Sequence, residues 1–315
     1  MSSAAPPSLE EITRQLTAPG SMFEMEECEI RGVRMRVWKK APPSLREVLV
    51  NSRAHGEADF LVYEDERTTF EMHFRRAAAL ARRLVEDFGM AKGDRVAIAM
   101  RNYPEWPIAF WGAATAGAIV VPLNSWWQGE ELAYGLEDSG SKVLFADPER
   151  AERVAPYLDA LGVAHRVRVR GEGAADGWTD FDEVVGSTDA DPKLPEVPLG
   201  PEDDATLFYT SGTTGKPKGA LGTHRNICGN LLSLAFVQAR GALRSGAALP
   251  PPGERPRNAQ LLSVPLFHAT GCHAVLAANT AFGGKLVMMY KWDPERALEL
   301  IERERISSFG GVPAM

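Results

Sequence analysis

Tyr209-Thr-Ser-Gly-Thr-Thr-Gly-Lys-Pro-Lys-Gly219 is the stretch on which the reading of this chain turns. Thr210, Ser211, Thr213 and Thr214 bring hydroxyls, Gly212, Gly215 and Gly219 bring conformational freedom, and Lys216 and Lys218 bring charge. Glycines let successive backbone N–H groups turn toward one point, which makes a concavity for an anion. Hydroxyls add donors and ammonium groups add point charges, so the segment suits phosphate. It is not a Walker A loop. That motif has four residues between its first glycine and the Gly-Lys pair, then Ser or Thr. Here two residues separate Gly212 from Gly215, and Pro217 follows Lys216. A residue before proline is pushed to extended geometry, so no helix opens behind Lys216. The flanking apolar runs, Ala205-Thr-Leu-Phe-Tyr209 and Ala220-Leu221, predict a loop joining two strands, with a helix starting between Thr223 and Asn226. A flexible linker shares part of this composition, but linkers seldom interleave hydroxyls with lysines between apolar runs.

Outward from the loop, strand and helix patterns alternate. Ser44 and Glu47 have capping-box spacing and open a helix, and Phe60-Leu-Val-Tyr63 reads as a strand. Thr68 and Glu71 repeat that spacing ahead of a helix with the apolar stripe Phe70, Phe74, Ala77, Ala81, Leu84 and Phe88, stopped by Gly89. A strand at 94–100, a helix at 104–115 and a strand at 119–121 imply a right-handed parallel crossover. Helix 130–138, strand 142–146, helix 148–161 and strand 164–169 repeat it, which predicts a doubly wound α/β fold. The segment 171–204, rich in Gly, Asp, Pro and Glu, breaks the pattern except at a patch from Trp178 to Val185. Beyond the loop come an apolar helix at 226–239, a Gly/Pro/Arg-rich loop at 240–258, a strand at 259–264, a helix at 272–282 and a strand at 285–290. Asp293 as N-cap and Pro294 open a helix to Arg305, and 306–309 is a last strand. The expected division is a tail and packing arm (1–43, with a strand at 33–38), a first α/β subdomain (44–170), a connecting segment (171–204) and a second α/β region (205–315).

A chain of 315 residues has length for about two domains. Its 44% apolar and 24% charged residues are ordinary for a soluble globular protein, and its net charge of -7 speaks against a nucleic-acid partner. The basic run His165-Arg-Val-Arg-Val-Arg170 alternates with apolar residues, as a half-buried strand does. Cys28, Cys228 and Cys272 are sparse, odd in number and without metal-ligand spacing, which points to a reducing, cytoplasmic setting. No basic stretch followed by an apolar core marks the N-terminus as a signal peptide. Trp106 to Gly129 contains no charged residue, but Pro107, Gly112, Gly117 and Pro122 interrupt it, so it reads as a buried helix and strand rather than a membrane span. Oligomeric state is left open.

Thr210–Gly219 resembles the phosphate-binding signature of the adenylate-forming superfamily of acyl-CoA synthetases, peptide-synthetase adenylation domains and luciferases. Pro265-Leu-Phe-His-Ala-Thr-Gly271 falls where that family has its acyl-substrate motif. Gly117-Ala-Ile-Val-Val-Pro-Leu-Asn124 resembles the family's early strand motif, and the likeness runs from about Leu45 to the last residue. It implies the large N-terminal domain of the adenylate-forming fold, two doubly wound subdomains with the C-terminal part missing. By the same resemblance, Thr210, Ser211, Gly212, Thr213, Thr214, Gly215 and Lys218 contact the phosphates of ATP, with Thr210 also a ligand to Mg²⁺. Lys216 either joins them or faces solvent. His268 resembles the catalytic gate residue between nucleotide and carboxylate, whereas a lone histidine is otherwise an ordinary half-buried one. Gly271 and Cys272 fall on the acyl side, where the small residues after Gly271 line a slot or serve tight helix packing. His224 and His273 lack such a motif and are read as structural.

Adenylation joins a carboxylate to the α-phosphate of ATP and expels pyrophosphate, so its barrier is largely electrostatic. The expected function is ATP-dependent activation of a fatty or aryl acid to an acyl-adenylate and then to acyl-CoA, with ATP, Mg²⁺ and coenzyme A. The acyl-CoA branch is favoured over peptide-synthetase domains because Lys285–Met315 resembles fatty-acyl and aryl ligases. The family's ribose-binding Asp, hinge and lysine-bearing C-terminal domain have no counterpart here, so the chain is expected to be truncated and inactive alone. A non-catalytic remnant that binds nucleotide or acyl ligand is the alternative, and the loop spacing disfavours a P-loop phosphotransferase. The residues do not decide between acids.

Overall fold

The structure, a computed structural model, describes residues 7–171, 177–186, 193–210, 215–247 and 257–311. The packing arm expected before residue 44 is better formed than its weak pattern suggested. Helix α1 (Leu9–Leu16) opens on a capping box in which Ser8 and Glu11 each accept the other's backbone N–H. Strands β1 (Met25–Ile30) and β2 (Val33–Trp38) form a separate antiparallel hairpin.

Next come α2 (Leu45–Ser52), β3 (Asp59–Tyr63), β4 (Glu66–Thr69) and α3 (Phe70–Glu86). Ser44 caps α2 by accepting from Arg46 N–H, 3.1 Å, rather than from Glu47. The cap of α3 is Thr69, whose hydroxyl accepts from Met72 N–H at 3.1 Å, and not Thr68 as its spacing to Glu71 suggests. Glu71 is drawn away to the guanidinium groups of Arg53 and Arg75, and Thr68 is held in β4.

The crossover pattern then runs as expected: β5 (Arg95–Ala99), α4 (Glu105–Thr115), β6 (Ile119–Pro122), α5 (Gly129–Ser139), β7 (Val143–Ala146), α6 (Pro148–Val154) and β8 (His165–Arg168). Helix α4 is apolar all round and is buried over nearly its whole length, Trp106, Phe110 and Trp111 included, which is what its lack of charge requires. No helix among the described residues is long and apolar enough to cross a membrane. The Trp178–Val185 patch folds as β9 (Thr179–Asp180) and α7 (Phe181–Val185). The remainder is β10 (Asp204–Thr210), β11 (Lys218–Thr223), α8 (His224–Arg244), β12 (Ala259–Leu262), a π-helical stretch (Thr270–Leu276) continuing as α9 (Ala277–Phe282), β13 (Lys285–Met288), α10 (Pro294–Glu304) and β14 (Ser308–Phe309).

Two sheets organise these elements. The larger has the order β11-β10-β6-β5-β7-β8-β9 and the smaller β14-β12-β13-β3-β4. Pairing is parallel except at β10–β11 and β3–β4. From β5 the chain steps to β6 on one side and then to β7 on the other, the reversal of a doubly wound sheet. The sheets exchange chain across the 171–204 segment: β3 and β4 pair with the late strands, and β10 and β11 with the early ones. Strand patterns report burial, not partners, so the sequence could not show this exchange.

Strand alternation divides the core. Val96 and Ile98 of β5 join the largest cluster, shared by both sheets with α2, α3, α4 and α8, while Ala97 and Ala99 face a second cluster under α5 and α6. Leu286 and Met288 of β13 likewise face the shared core, and Val287 faces a smaller one under α10. Helix α1, through Ile12 and Leu16, packs with Ala235 and Ala239 of α8, and Trp38 donates its indole N–H to Ser233 at 2.9 Å.

Candidate active site

Strand β10 ends at Thr210 and β11 begins at Lys218, and these two residues are register partners. Because β10 is parallel to β6, the loop projects from the carboxyl edge of the larger sheet. Ser211, Gly212, Thr213 and Thr214 lie outside the described residues. Gly215 has φ +94°, a left-handed turn that favours glycine. Its neighbour Pro217 accepts the Tyr134 hydroxyl at 3.0 Å, and the Lys216 ammonium lies 5.0 Å from the Tyr134 ring centroid. Thr210, Lys216 and Lys218 are exposed, and neither lysine makes an ion pair among the described residues. Among the described residues, Thr210 Oγ1 makes only a long contact, 3.4 Å, to the Lys218 carbonyl. At the base of the loop Tyr209 donates to Asp138 at 2.7 Å and packs on Trp127, centroids 5.7 Å apart.

The second motif follows β12. Asn102, just past β5, holds it with both ends of its amide: Nδ2 donates to Val264 O at 3.1 Å, and Oδ1 accepts from Leu266 N–H at 3.0 Å. The chain then turns, His268 N–H to Pro265 O at 3.2 Å, and enters the π-helical stretch. Gly271 is required at this bend, since a Cβ there would lie 2.2 Å from Pro265 O. The wide π turn, which often accompanies functional sites, was read from sequence as an ordinary helix start.

His268 has one side open to solvent and the other against Phe267, centroids 4.5 Å apart. Partial burial lowers its pKa. Cys272, expected on the acyl side, is fully buried in the shared core, where desolvation raises its thiol pKa well above the ordinary value. It does not line the neighbouring cavity. His273 stands edge-on to Phe208 at 5.0 Å, and burial pushes its pKa down to about 4. His224 is buried and accepts Leu45 N–H at 3.1 Å, its pKa also lowered to about 4 by burial. Both match the structural role read for them.

His268 sits at a cavity of about 790 Å³ beyond the carboxyl ends of β5, β6, β12 and β13. That is where open α/β sheets bind ligands. Its walls are largely apolar, with Leu261, Leu262, Val264, Val275 and Met289, and it also receives Arg101, Asn102, Trp126, Tyr290 and Lys291. The sequence reading missed Arg101, Asn102 and Trp126. Their signal was position: Arg101 and Asn102 follow the strand at which the winding reverses, and Trp126-Trp127 is an aromatic pair just after the next strand. Trp126 meets Phe267 edge-on at 5.2 Å while Trp127 meets Tyr209, so the tryptophan pair bridges loop and cavity. Among the described residues no group of three or more His, Cys, Asp or Glu is placed to hold a metal.

Known proteins share this arrangement. A feruloyl-CoA synthase of Amycolatopsis sp is 35% identical over 242 residues, covering 76% of this chain and 43% of the relative. A long-chain-fatty-acid–CoA ligase of Mycobacterium tuberculosis is 32% identical over 274 residues, 85% of this chain and 49% of the relative. This chain thus spans less than half the length of these curated relatives. Among solved structures, a fatty acyl CoA synthetase of Mycobacterium tuberculosis superposes with TM-score 0.70 at 28% identity, covering 86% of this chain and 49% of that one. An O-succinylbenzoate coenzyme A synthetase of Bacillus subtilis, solved in complex with AMP, gives TM-score 0.66 at 26% identity, with coverages of 87% and 62%. Residues 49–315, which contain both motifs and the cavity, match the family described as AMP-binding enzyme, and the chain belongs to that family.

Proposed function

We propose that the protein activates a carboxylic acid with ATP to an acyl-adenylate and passes the acyl group to coenzyme A. The observation that carries this reading is the aromatic bridge: Tyr209, at the base of the loop, touches Trp127, and Trp126 touches Phe267 beside His268. A polyphosphate held by the loop and an acid held in the cavity would therefore meet at the carboxyl ends of neighbouring strands. A carboxylate oxygen attacks the α-phosphorus, and the bond to the leaving pyrophosphate breaks. The sulfur of coenzyme A then displaces AMP from the acyl carbon.

In this scheme Lys218, Lys216, Gly215 and the hydroxyl-bearing residues Thr210, Ser211, Thr213 and Thr214 grip the phosphates with Gly212. Two exposed ammonium groups without carboxylate partners among the described residues fit that role. Mg²⁺ keeps several waters and binds through substrate phosphates with few protein ligands, and the weakly engaged Thr210 hydroxyl fits as one of them. His268 at the cavity mouth steers the incoming carboxylate. The printed functions of the relatives support a CoA acceptor, and the free thiols of Cys28, Cys228 and Cys272 suit a cytoplasmic setting.

The described groups suit the binding of nucleotide and acid, and to these 315 residues alone we assign that binding rather than turnover. Calorimetric titration with MgATP tests this. Saturable binding is expected, weakened about tenfold in the Lys216→Ala/Lys218→Ala double variant. Undiminished binding by that variant would remove the phosphate-grip assignment. Acid-dependent ATP–pyrophosphate exchange by this chain alone would overturn the division between binding and turnover.

A further inference from the structure

We propose that Arg101 reads a second anionic group on the acid, so that dicarboxylic acids are preferred over plain aliphatic or aryl acids. The inference rests on reading the 790 Å³ cavity as the acid site.

Among the described residues, Arg101 is a cation without a counter-ion in a largely apolar cavity. Its guanidinium carbon lies 5.9 Å from the Trp126 ring centroid and 5.4 Å from that of Tyr290. Its Nε is buried with no hydrogen-bond partner, and among the described residues its side chain makes no ion pair. Among the described residues that line the cavity none is Asp or Glu, and the ammonium group of Lys291 makes the field more positive. The nearby carboxylates are already engaged. Asp147 accepts from the Arg150 guanidinium and from the backbone N–H groups of Arg101 and Arg150. Glu149 accepts from Arg150, Arg153 and the Tyr290 hydroxyl.

The position is also built. Arg101 N–H donates to Asp147 at 3.0 Å, and the next residue, Asn102, is fixed at both ends of its amide. The backbone anchors the base of the side chain, and the rings of Trp126 and Tyr290 flank the guanidinium itself, the kind of support from surrounding groups that recognition needs. Arginine stays charged, its planar fork matches a carboxylate, and weak solvation strengthens the pair. A buried donor left unpaired is unfavourable, and a ligand oxygen would complete it. Trp126 lies between Arg101 and the Phe267–His268 pair. The group that meets Arg101 is therefore the far end of the acid, not the carboxylate being activated at His268.

Competition binding to the intact 315-residue protein compares adipate with hexanoate and terephthalate with benzoate. The dicarboxylate of each pair is expected to bind about tenfold more tightly. Arg101→Met should abolish the preference within each pair without weakening MgATP, and Arg101→Lys, which keeps the charge if the methionine variant misfolds, should retain part of it. Equal binding within each pair by the unaltered protein, or an unchanged preference in Arg101→Met, overturns the inference while leaving the cavity reading intact. A loss of MgATP affinity with the acid preference unmoved would give Arg101 to a nucleotide phosphate and also overturn it. If no acid binds at all, the cavity reading falls and the inference with it.

Discussion

The two motif-bearing regions are built in opposite ways. The loop between β10 and β11 is a local hairpin: Tyr209↔Gly219 and Thr210↔Lys218 pair across it, and Thr210, Lys216 and Lys218, among its described residues, stand in solvent. The Pro265–Gly271 motif is held from a distance, by an amide 164 residues earlier in sequence and by contact of Gly271 with Pro265. Charge on a hairpin tip can change at little cost to folding, whereas a motif wedged between strand ends cannot be altered without disturbing the core.

The sharpest way to break this contrast is Gly271→Ala. A methyl 2.2 Å from Pro265 O must push the bend open, and a loss of about 3 kcal/mol is expected in denaturant unfolding. A loss below about 1 kcal/mol would mean the bend relaxes freely, and the motif would be no more rigid than the loop. Asn102→Ala comes next. It leaves Val264 O and Leu266 N–H without their partner, an expected loss of about 2 kcal/mol. It should also weaken acid binding more than MgATP binding, since the latch holds only the cavity side. The smallest effect belongs to the loop. Lys216→Ala/Lys218→Ala should leave stability within about 0.5 kcal/mol of the unaltered protein, as surface changes usually do. A larger loss in thermal unfolding would show that the Lys216–Tyr134 contact supports the fold and would erase the contrast.

How far sequence carries follows the same line. The hairpin was legible because everything that makes it is local: apolar runs, glycines, Lys216 before Pro217, and the Thr223 cap, whose hydroxyl accepts Asn226 N–H at 3.3 Å. The crossovers from β5 to β8 were legible because each strand and helix carries its own period. Caps were harder. Thr68 and Thr69 offer the same hydroxyl, and the choice fell to Thr69 once β4 and the Arg53–Glu71 pair were in place. The acyl side was harder still. Cys272 and Val275 lie one turn apart and both join the shared core, yet of the two only Val275 also lines the cavity, a difference that depends on how the π-helical stretch packs.

By itself the sequence determined the alternation of strands and helices, the anion-suited loop and the motif that carries His268, because propensity, capping and glycine chemistry act over a few residues. Only the tertiary structure decided that β3 joins β13 and β10 joins β6, and so which side chains meet. Asn102 clasps Val264 and Leu266, Trp126 spans from Phe267 to Arg101, and Arg101 has no counter-ion among the described residues. The reason is physical: strand pairing and close packing join residues that lie far apart in sequence, and no local pattern specifies those partners.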